Sequence, residues 1–224
     1  MMTNVYFLRH GETDYNRKHR LQGQRDISLN ETGRRQARET GAKFREKGIR
    51  FTRVYSSPLD RARETASLAS GWTKEQVVTD DRLIEIDFGP IEGHVYEKLA
   101  PRARAYVDAP WDNAPVPGIE SSDHLVRRTG DFLRWLARDL EESESPESSE
   151  SPESPENVLI VTHGMALHGL MVALPGASEE ERIRRWGEPL SNCSVFRSVF
   201  SEGVYSPPER LTKRLPTYRQ EETE

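Results

Sequence analysis

Val5-Tyr6-Phe7-Leu8-Arg9-His10-Gly11-Glu12-Thr13 is the stretch from which the architecture of this chain can be read. Its first residues are apolar on both alternating faces, the pattern of a strand buried in a sheet covered by helices on both sides. The run then breaks into Arg9-His10-Gly11, so polar residues are delivered to the rim of the sheet. In open α/β sheets the carboxyl ends of strands are where ligands bind. Residues 157–162 (NVLIVT) repeat the design as the most hydrophobic strand of the chain, ending in His163-Gly164 before a helix expected over 165–174. In a parallel sheet both histidines emerge at one rim, beside the starts of following segments that attract anions.

Working outward, Ser28-Leu29-Asn30-Glu31 has the form of a capping box with Ser28 as N-cap, and Gly48 stops the helix that follows. Ala37, Gly41 and Phe44 form its sheet-facing stripe. Residues 51–55 read as a second strand, with Ser57 as N-cap and Pro58 at the first position of the next helix. Arg61 lies in that helix's first turn, where a cation opposes the helix dipole, so it is either solvated or held there by an anion. Arg63 projects about 200° away by helical geometry, so only one of the two can serve a common site. Residues 76–79 suit a short edge strand. A Gly- and Pro-punctuated region follows, with a short helix over about 96–107, and residues 90–118 have the character of a lid or substrate wall. A long helix runs from Ser122 to about Leu140, with Leu125, Thr129, Phe132, Leu136 and Leu140 at helical spacing. Residues 194–200 alternate as a late strand, antiparallel at an edge. The fold expected is a three-layer α/β/α sandwich with a mostly parallel central sheet and one antiparallel edge strand.

Composition narrows the function. The 224 residues suit one domain over 1–205, with a loosely attached tail over 206–224. Residues 141–156 (EESESPESSESPESPE) have no apolar side chain to bury and read as a disordered, acidic Ser/Glu/Pro insertion. Its seven glutamates account for the net charge of −5; without them the body has 30 acidic against 32 basic residues. A near-neutral body carries no broad nucleic-acid footprint. The single cysteine, Cys193, permits no intrachain disulfide and no cysteine-based zinc site. The start, MMTNVYFLRH, lacks the pattern of a secretion signal, and no apolar run approaches the ~20 residues of a membrane span. A soluble cytoplasmic protein, monomer or homodimer, is expected, with no membrane partner.

Arg9, His10, Arg61 and His163 can then surround one phosphoryl group from three sequence-distant places. A phosphoryl transition state spreads charge over equatorial oxygens, so positioned cations do most of the catalysis. Two arginines offer bidentate forks for those oxygens. A neutral His10 can attack in line and hold the phosphate, provided its other ring nitrogen donates to a fixed acceptor. His163 suits an added donor. One carboxyl group can protonate the leaving oxygen and then activate water. A metal-based alternative would use His163 and His168, but five residues put them about 140° apart around a helix, and no carboxylate-histidine motif accompanies them.

Five ordered blocks carry a resemblance: Leu8-Arg9-His10-Gly11-Glu12-Thr13 with Asn16; Ser56-Ser57-Pro58-Leu59-Asp60-Arg61-Ala62 with Glu64-Thr65-Ala66; Leu83-Ile84-Glu85 with Phe88-Gly89 and Glu92-Gly93; Pro117-Gly118 with Glu120-Ser121; and Val161-Thr162-His163-Gly164. Together, over roughly residues 4–200, they resemble the histidine phosphatase superfamily, the phosphoglycerate mutase-like proteins. The resemblance implies that His10 is phosphorylated and that Arg9, Arg61 and His163 bind the phosphate. It sets Glu85 at the proton donor's position, Asn16 at a further phosphate contact, and Gln22 and Gly23 at the pocket mouth. By spacing alone Asp87 and Glu92 are rivals of Glu85; the resemblance prefers Glu85. It implies no cofactor, no metal and a small phosphorylated metabolite as substrate. Mutases of the family place a Trp-Arg-Arg cluster in a longer insertion. Here Trp111 has no adjacent arginine, only Arg102 and Arg104 upstream, and the compact Pro-Gly-x-Glu-Ser block resembles the phosphatase branch. Hydrolysis of a phosphate monoester is thus the first expectation and mutase chemistry the second. A non-catalytic phosphate-binding or interaction module is the alternative from another class.

Overall fold

The computed structural model describes residues 2–110, 113–143, 155–174, 180 and 190–212. Strands β1 (Thr3–Arg9), β2 (Arg53–Ser56), β3 (Val78–Thr79) and β4 (Glu156–Thr162) pair in parallel in the order β3-β2-β4-β1. Strand β5 (Val195–Ser201) adds antiparallel to β1, and two-residue strands β6 (Val204–Tyr205) and β7 (Glu209–Arg210) both pair with β5. The fold class expected from sequence is the one observed, with its antiparallel side built from β5 and these two short strands.

Helices cover both faces because β1 and β4 are apolar on both alternations. On one face Tyr6, Leu8, Leu159 and Val161 meet Ala37 and Phe44 of α2 (Glu31–Glu46) and Ala62 and Ala66 of α3 (Asp60–Ser70). On the other, Val5, Phe7, Val158 and Ile160 meet Phe132, Leu136 and Leu140 of α5 (Ser122–Ser143) and Leu167 and Leu170 of α6 (Gly164–Ala173). Two short helices remain, α1 (Asp14–Arg17) and α4 (Pro101–Asp108). Among the described residues no helix is long and apolar enough to cross a membrane.

Several local expectations are corrected. The N-cap of α2 is Asn30, whose side chain accepts the Gly33 N–H at 2.8 Å, and not Ser28. Asn30 and Ser28 are both good caps, but Asn30 also donates to Glu12 Oε1, which fixes it beside β1's outgoing loop. The capping box lies instead at α1, between Thr13 and Asn16, in a stretch taken from sequence as loop. Helix α3 starts at Asp60 with Leu59 as its N-cap and no side-chain cap; Ser57 and Pro58 precede it. The expected helix over 96–107 is a 3-10 turn at Tyr96–Lys98 followed by α4. Helix α5 runs to Ser143, past the expected start of the acidic insertion; residues 144–154 of that insertion lie outside the described residues. The start of the expected loose tail is tied down: Leu211 N–H donates to Val195 O at 2.9 Å, and Val195 N–H donates to Thr212 Oγ1. Residues 213–224 lie outside the described residues.

Candidate active site

Register explains why the two Arg/Thr-His-Gly ends meet. Arg9 of β1 pairs with Thr162 of β4, so His10 and His163 leave the sheet side by side, their ring centroids 5.1 Å apart in a T-shaped contact. His10 N–H continues the ladder by donating to Thr162 O at 2.9 Å. Gly11 follows directly, and a Cβ there would stand 2.5 Å from Gly33 O. The chain can therefore turn over the start of α2 only without a side chain.

His10 is buried. Its Nδ1 lies 2.6 Å from Gly11 O, a carbonyl that can only accept, so Nδ1 carries the proton and Nε2 the lone pair. Burial, then the charges of Arg61 and Arg9, hold His10 well below the usual histidine value. The ring is neutral at pH 7.

Arg61 is fully buried, which answers why a cation occupies the first turn of α3. Its Nη1 donates to Arg25 O at 2.6 Å, Nη2 to Gly23 O at 2.7 Å, and Nε to His163 Nδ1 at 3.1 Å. Burial lowers its pKa to about 10, partly offset by Glu85, so it remains cationic at neutral pH. Because Arg61 can only donate, His163 must hold its proton on Nε2, and that N–H donates to Ser57 Oγ at 2.7 Å. Burial, then Arg61, His10 and Arg9, keep His163 neutral as well. Arg63, on the other side of α3, donates to Lys74 O.

Arg9 donates from Nη1 to Leu190 O, and its buried Nε has no partner among the described residues. Burial lowers its pKa and Glu85 raises it again. A Cβ on Gly164 would lie 3.7 Å from Arg9 Nε and 3.8 Å from Glu85 Oε2. Both groups thus lie close to the start of α6. Glu85 itself is buried at that helix start: Oε1 accepts the N–H groups of Ile86 and Ala166, both at 3.0 Å, and Oε2 that of Met165 at 3.3 Å.

The rival carboxylates are engaged elsewhere. Asp87 is exposed and accepts the Gly89 N–H at 2.7 Å. Glu92 Oε1 accepts the N–H groups of Gln24 at 2.8 Å and Phe88 at 3.3 Å.

The loop residues fall into different positions. Gly23 reaches the site through its carbonyl on Arg61, at a positive φ of 53°. Gln22 is buried with Oε1 accepting from Thr13 Oγ1 at 2.8 Å, inside the loop. Asn16 Oδ1 accepts from Thr13 N–H and from Asn192 Nδ2. Asn192 is a residue that sequence reasoning missed: its Nδ2 also lies 3.1 Å from His10 O, joining the loop before β5 to both. It sits outside every ordered motif, and only the antiparallel β1–β5 pairing brings it in. Arg128 was missed as well; it grips the backbone on either side of Ile84. Burial pushes the Cys193 thiol up to about 12, so it is no nucleophile at neutral pH.

Two neutral histidines, the buried Arg61, the half-buried Arg9 and a carboxyl group therefore share one rim, a composition suited to a dianionic ligand and in-line attack. A "Probable phosphoglycerate mutase GpmB" of Erwinia tasmaniensis is 35% identical over 201 residues, 88% of this chain and 84% of the relative. Among solved structures, the phosphoserine phosphatase of Entamoeba histolytica superposes with a TM-score of 0.71 at 25% identity, over 94% of this chain and 95% of that one. A mycobacterial glucosyl-3-phosphoglycerate phosphatase gives 0.69 at 29% identity, over 94% and 98%. The family model described as "Histidine phosphatase superfamily (branch 1)" matches residues 5–206, and the chain belongs to that superfamily.

Proposed function

We propose that the protein is a metal-independent phosphatase acting on small phosphate monoesters through a phosphohistidine at Nε2 of His10. The observation that carries this reading is the tautomer of His10: Nδ1 held by Gly11 O leaves the Nε2 lone pair for attack, in the field of Arg61 and Arg9. In the first step Nε2 forms a bond to phosphorus as the ester P–O bond breaks, and the Glu85 carboxyl group gives its proton to the leaving oxygen. Water then attacks phosphorus, Glu85 takes its proton, and the P–N bond breaks to restore neutral His10. Arg9 and Arg61 supply the charge stabilisation of the equatorial oxygens, joined by the Nε2–H of His163 when it exchanges Ser57 Oγ for a phosphate oxygen, with Asn16 as a further contact. Glu85 is favoured over Asp87 and Glu92 because it is buried at the start of α6 beside His163 and its charge acts on Arg9, while Asp87 is exposed on the Gly89 N–H and Glu92 accepts from the Gln24 and Phe88 N–H groups. Gln22 and Gly23 act by shaping the loop that carries the Arg61 acceptors.

A second reading, phosphoglycerate mutase-type transfer, is favoured by the names of the relatives at 34–35% identity. There a phosphorylated acid replaces water as acceptor. One assay separates the readings: a panel of phosphate monoesters including 3-phosphoglycerate, with a chelator present, scored for released phosphate and isomerised product. Phosphate release that His10→Ala abolishes is expected. Isomer forming faster than phosphate would shift the assignment to a mutase. Unchanged activity in the His10 variant would sink the mechanism, and binding of phosphate without any turnover would make the chain a non-catalytic module.

A further inference from the structure

Glu85 lies in a segment, residues 84–88, that is itself neither strand nor helix, yet its carboxyl group must sit still to move a proton. We propose that the Arg128–Glu120 ion pair is the positioning device for Glu85, a clamp that fixes the backbone on both sides of it. This rests on Glu85 being the acid and base of the reaction.

All five N–H groups of Arg128 are used. Nη1 donates to Arg82 O at 2.9 Å and Ile84 O at 2.7 Å. Nη2 donates to Glu85 O and to Glu120 Oε2, both at 3.0 Å, and Nε to Glu120 Oε1 at 2.7 Å. The remaining carbonyl of the run, Leu83 O, accepts from Thr162 Oγ1 at 2.6 Å, one residue before His163. On the far side of Glu85, Glu120 Oε2 accepts the Asp87 N–H at 3.1 Å, and the Glu120 N–H donates to Asp87 O at 2.8 Å. Four consecutive carbonyls, Arg82 to Glu85, are thus held by Arg128 and Thr162, with Gln24 Nε2 adding a second donor to Glu85 O at 3.2 Å, and Asp87, two residues after Glu85, is held by Glu120.

The pair is well sheltered, with Arg128 and Glu120 side chains only 12% and 8% exposed. Burial opposes ionisation of Glu120, but the bonds and charge of Arg128 outweigh it and lower its pKa. Breaking one partner of such a pair leaves an uncompensated charge and orphaned carbonyls. Only a planar fork can serve three carbonyls and a bidentate carboxylate at once; a lysine has three donors on one atom and cannot. Arg128 sits on α5 and Glu120 at its approach, so the clamp anchors the proton donor to the long helix rather than to the loop it occupies.

Proton donation matters most when the leaving oxygen is basic. The test compares kcat/KM on an alkyl phosphate with that on 4-nitrophenyl phosphate for the wild type, Glu85→Gln, Arg128→Lys and Glu120→Gln. Because both rates scale with the amount of folded enzyme, their ratio is unaffected if a variant folds poorly. Arg128→Lys is expected to lose on the order of tenfold or more on the alkyl ester than on the nitrophenyl ester, since a displacement of ~1 Å can cost about a hundredfold. Glu120→Gln should shift the ratio the same way by less, as an amide still accepts from Arg128. An unchanged ratio in Arg128→Lys, beside a changed one in Glu85→Gln, overturns the clamp alone. An unchanged ratio in Glu85→Gln overturns the acid assignment and the clamp with it.

Discussion

Arg61 is a guanidinium with no solvent exposure, and its neighbours decide its usefulness. Two of its N–H groups are spent on the carbonyls of Gly23 and Arg25 and a third on His163, which aims the guanidinium's remaining edge. Gly23 is the fragile member: its φ of 53° suits glycine, and an added Cβ would meet Glu92 Oε1 at 1.8 Å. Gly23→Ala should cost about 1–3 kcal/mol of local strain and raise the inhibition constant for inorganic phosphate severalfold. An unchanged inhibition constant would mean that the Arg61 acceptors do not tune anion binding. His10 gives a pH test. Its value is held well below the usual histidine figure of ~6.5, so the neutral nucleophile persists as pH falls through that point. The acid limb of kcat/KM on 4-nitrophenyl phosphate should therefore lie below pH 6.5; a limb centred there would show that His10 is not shielded as described.

At the scale of elements, helix starts and strand ends carry the site. Helix α2 matters because its first turn packs beneath the loop leaving β1, where a Cβ on Gly33 would lie 2.1 Å from Glu12 O. Asn30 caps it, so Asn30→Ala should cost about 1 kcal/mol, or roughly 2–4 °C in a thermal melt, whereas Ser28→Ala should leave the melt almost unchanged. The reverse order would restore the sequence-based reading. Sequence spacing could not choose between Ser28 and Asn30, because both are strong caps and the choice rests on Glu12, a contact made across the chain. The same holds at α3, where Ser57-Pro58 looks like a helix start. The serine is instead the partner of His163, a pairing 106 residues apart in sequence.

Across the whole molecule, the buried neutral histidines couple stability to pH. Both His10 and His163 have lowered values in the folded state, so below pH ~6.5 the unfolded chain binds protons that the folded one refuses. Their contribution is complete above ~6.5 and is lost as pH falls from there toward the lower folded values, at up to ~1.4 kcal/mol per pH unit for each. Urea titrations between pH 6.5 and 5.5 should show this slope flattened in His163→Gln; an equal slope in that variant would exclude His163 as a contributor. The acidic insertion is the other global feature. Arg53 binds Asp139, Ser143 and Glu156 and so ties together both chain ends from which the insertion leaves. Glu156 opens the seven-residue strand whose other end leads to His163, ~23 Å away at strand rise. Replacing residues 144–154 by Gly and Ser in equal number should leave kcat/KM unchanged; a large drop would give the tract a part in turnover.

Without coordinates the chain already shows two apolar strands that end in Arg-His-Gly and Thr-His-Gly, helix-forming segments for both faces of their sheet, and Arg61 at a third strand-to-helix junction, whereas only the family resemblance singles out Glu85 from Asp87 and Glu92. These are short-range properties: hydrophobic alternation, turn residues and ordered motifs are written locally and survive without coordinates. Long-range contacts alone set which tautomer each histidine adopts, that Gly23 and Arg25 serve Arg61 through their carbonyls, and that Asn192 and Arg128 stand behind His10 and Glu85. Backbone carbonyls leave no signature in residue identity, and a guanidinium that grips them can come from any distant helix. A proton's position on an imidazole is set by whichever donor or acceptor the fold brings against it.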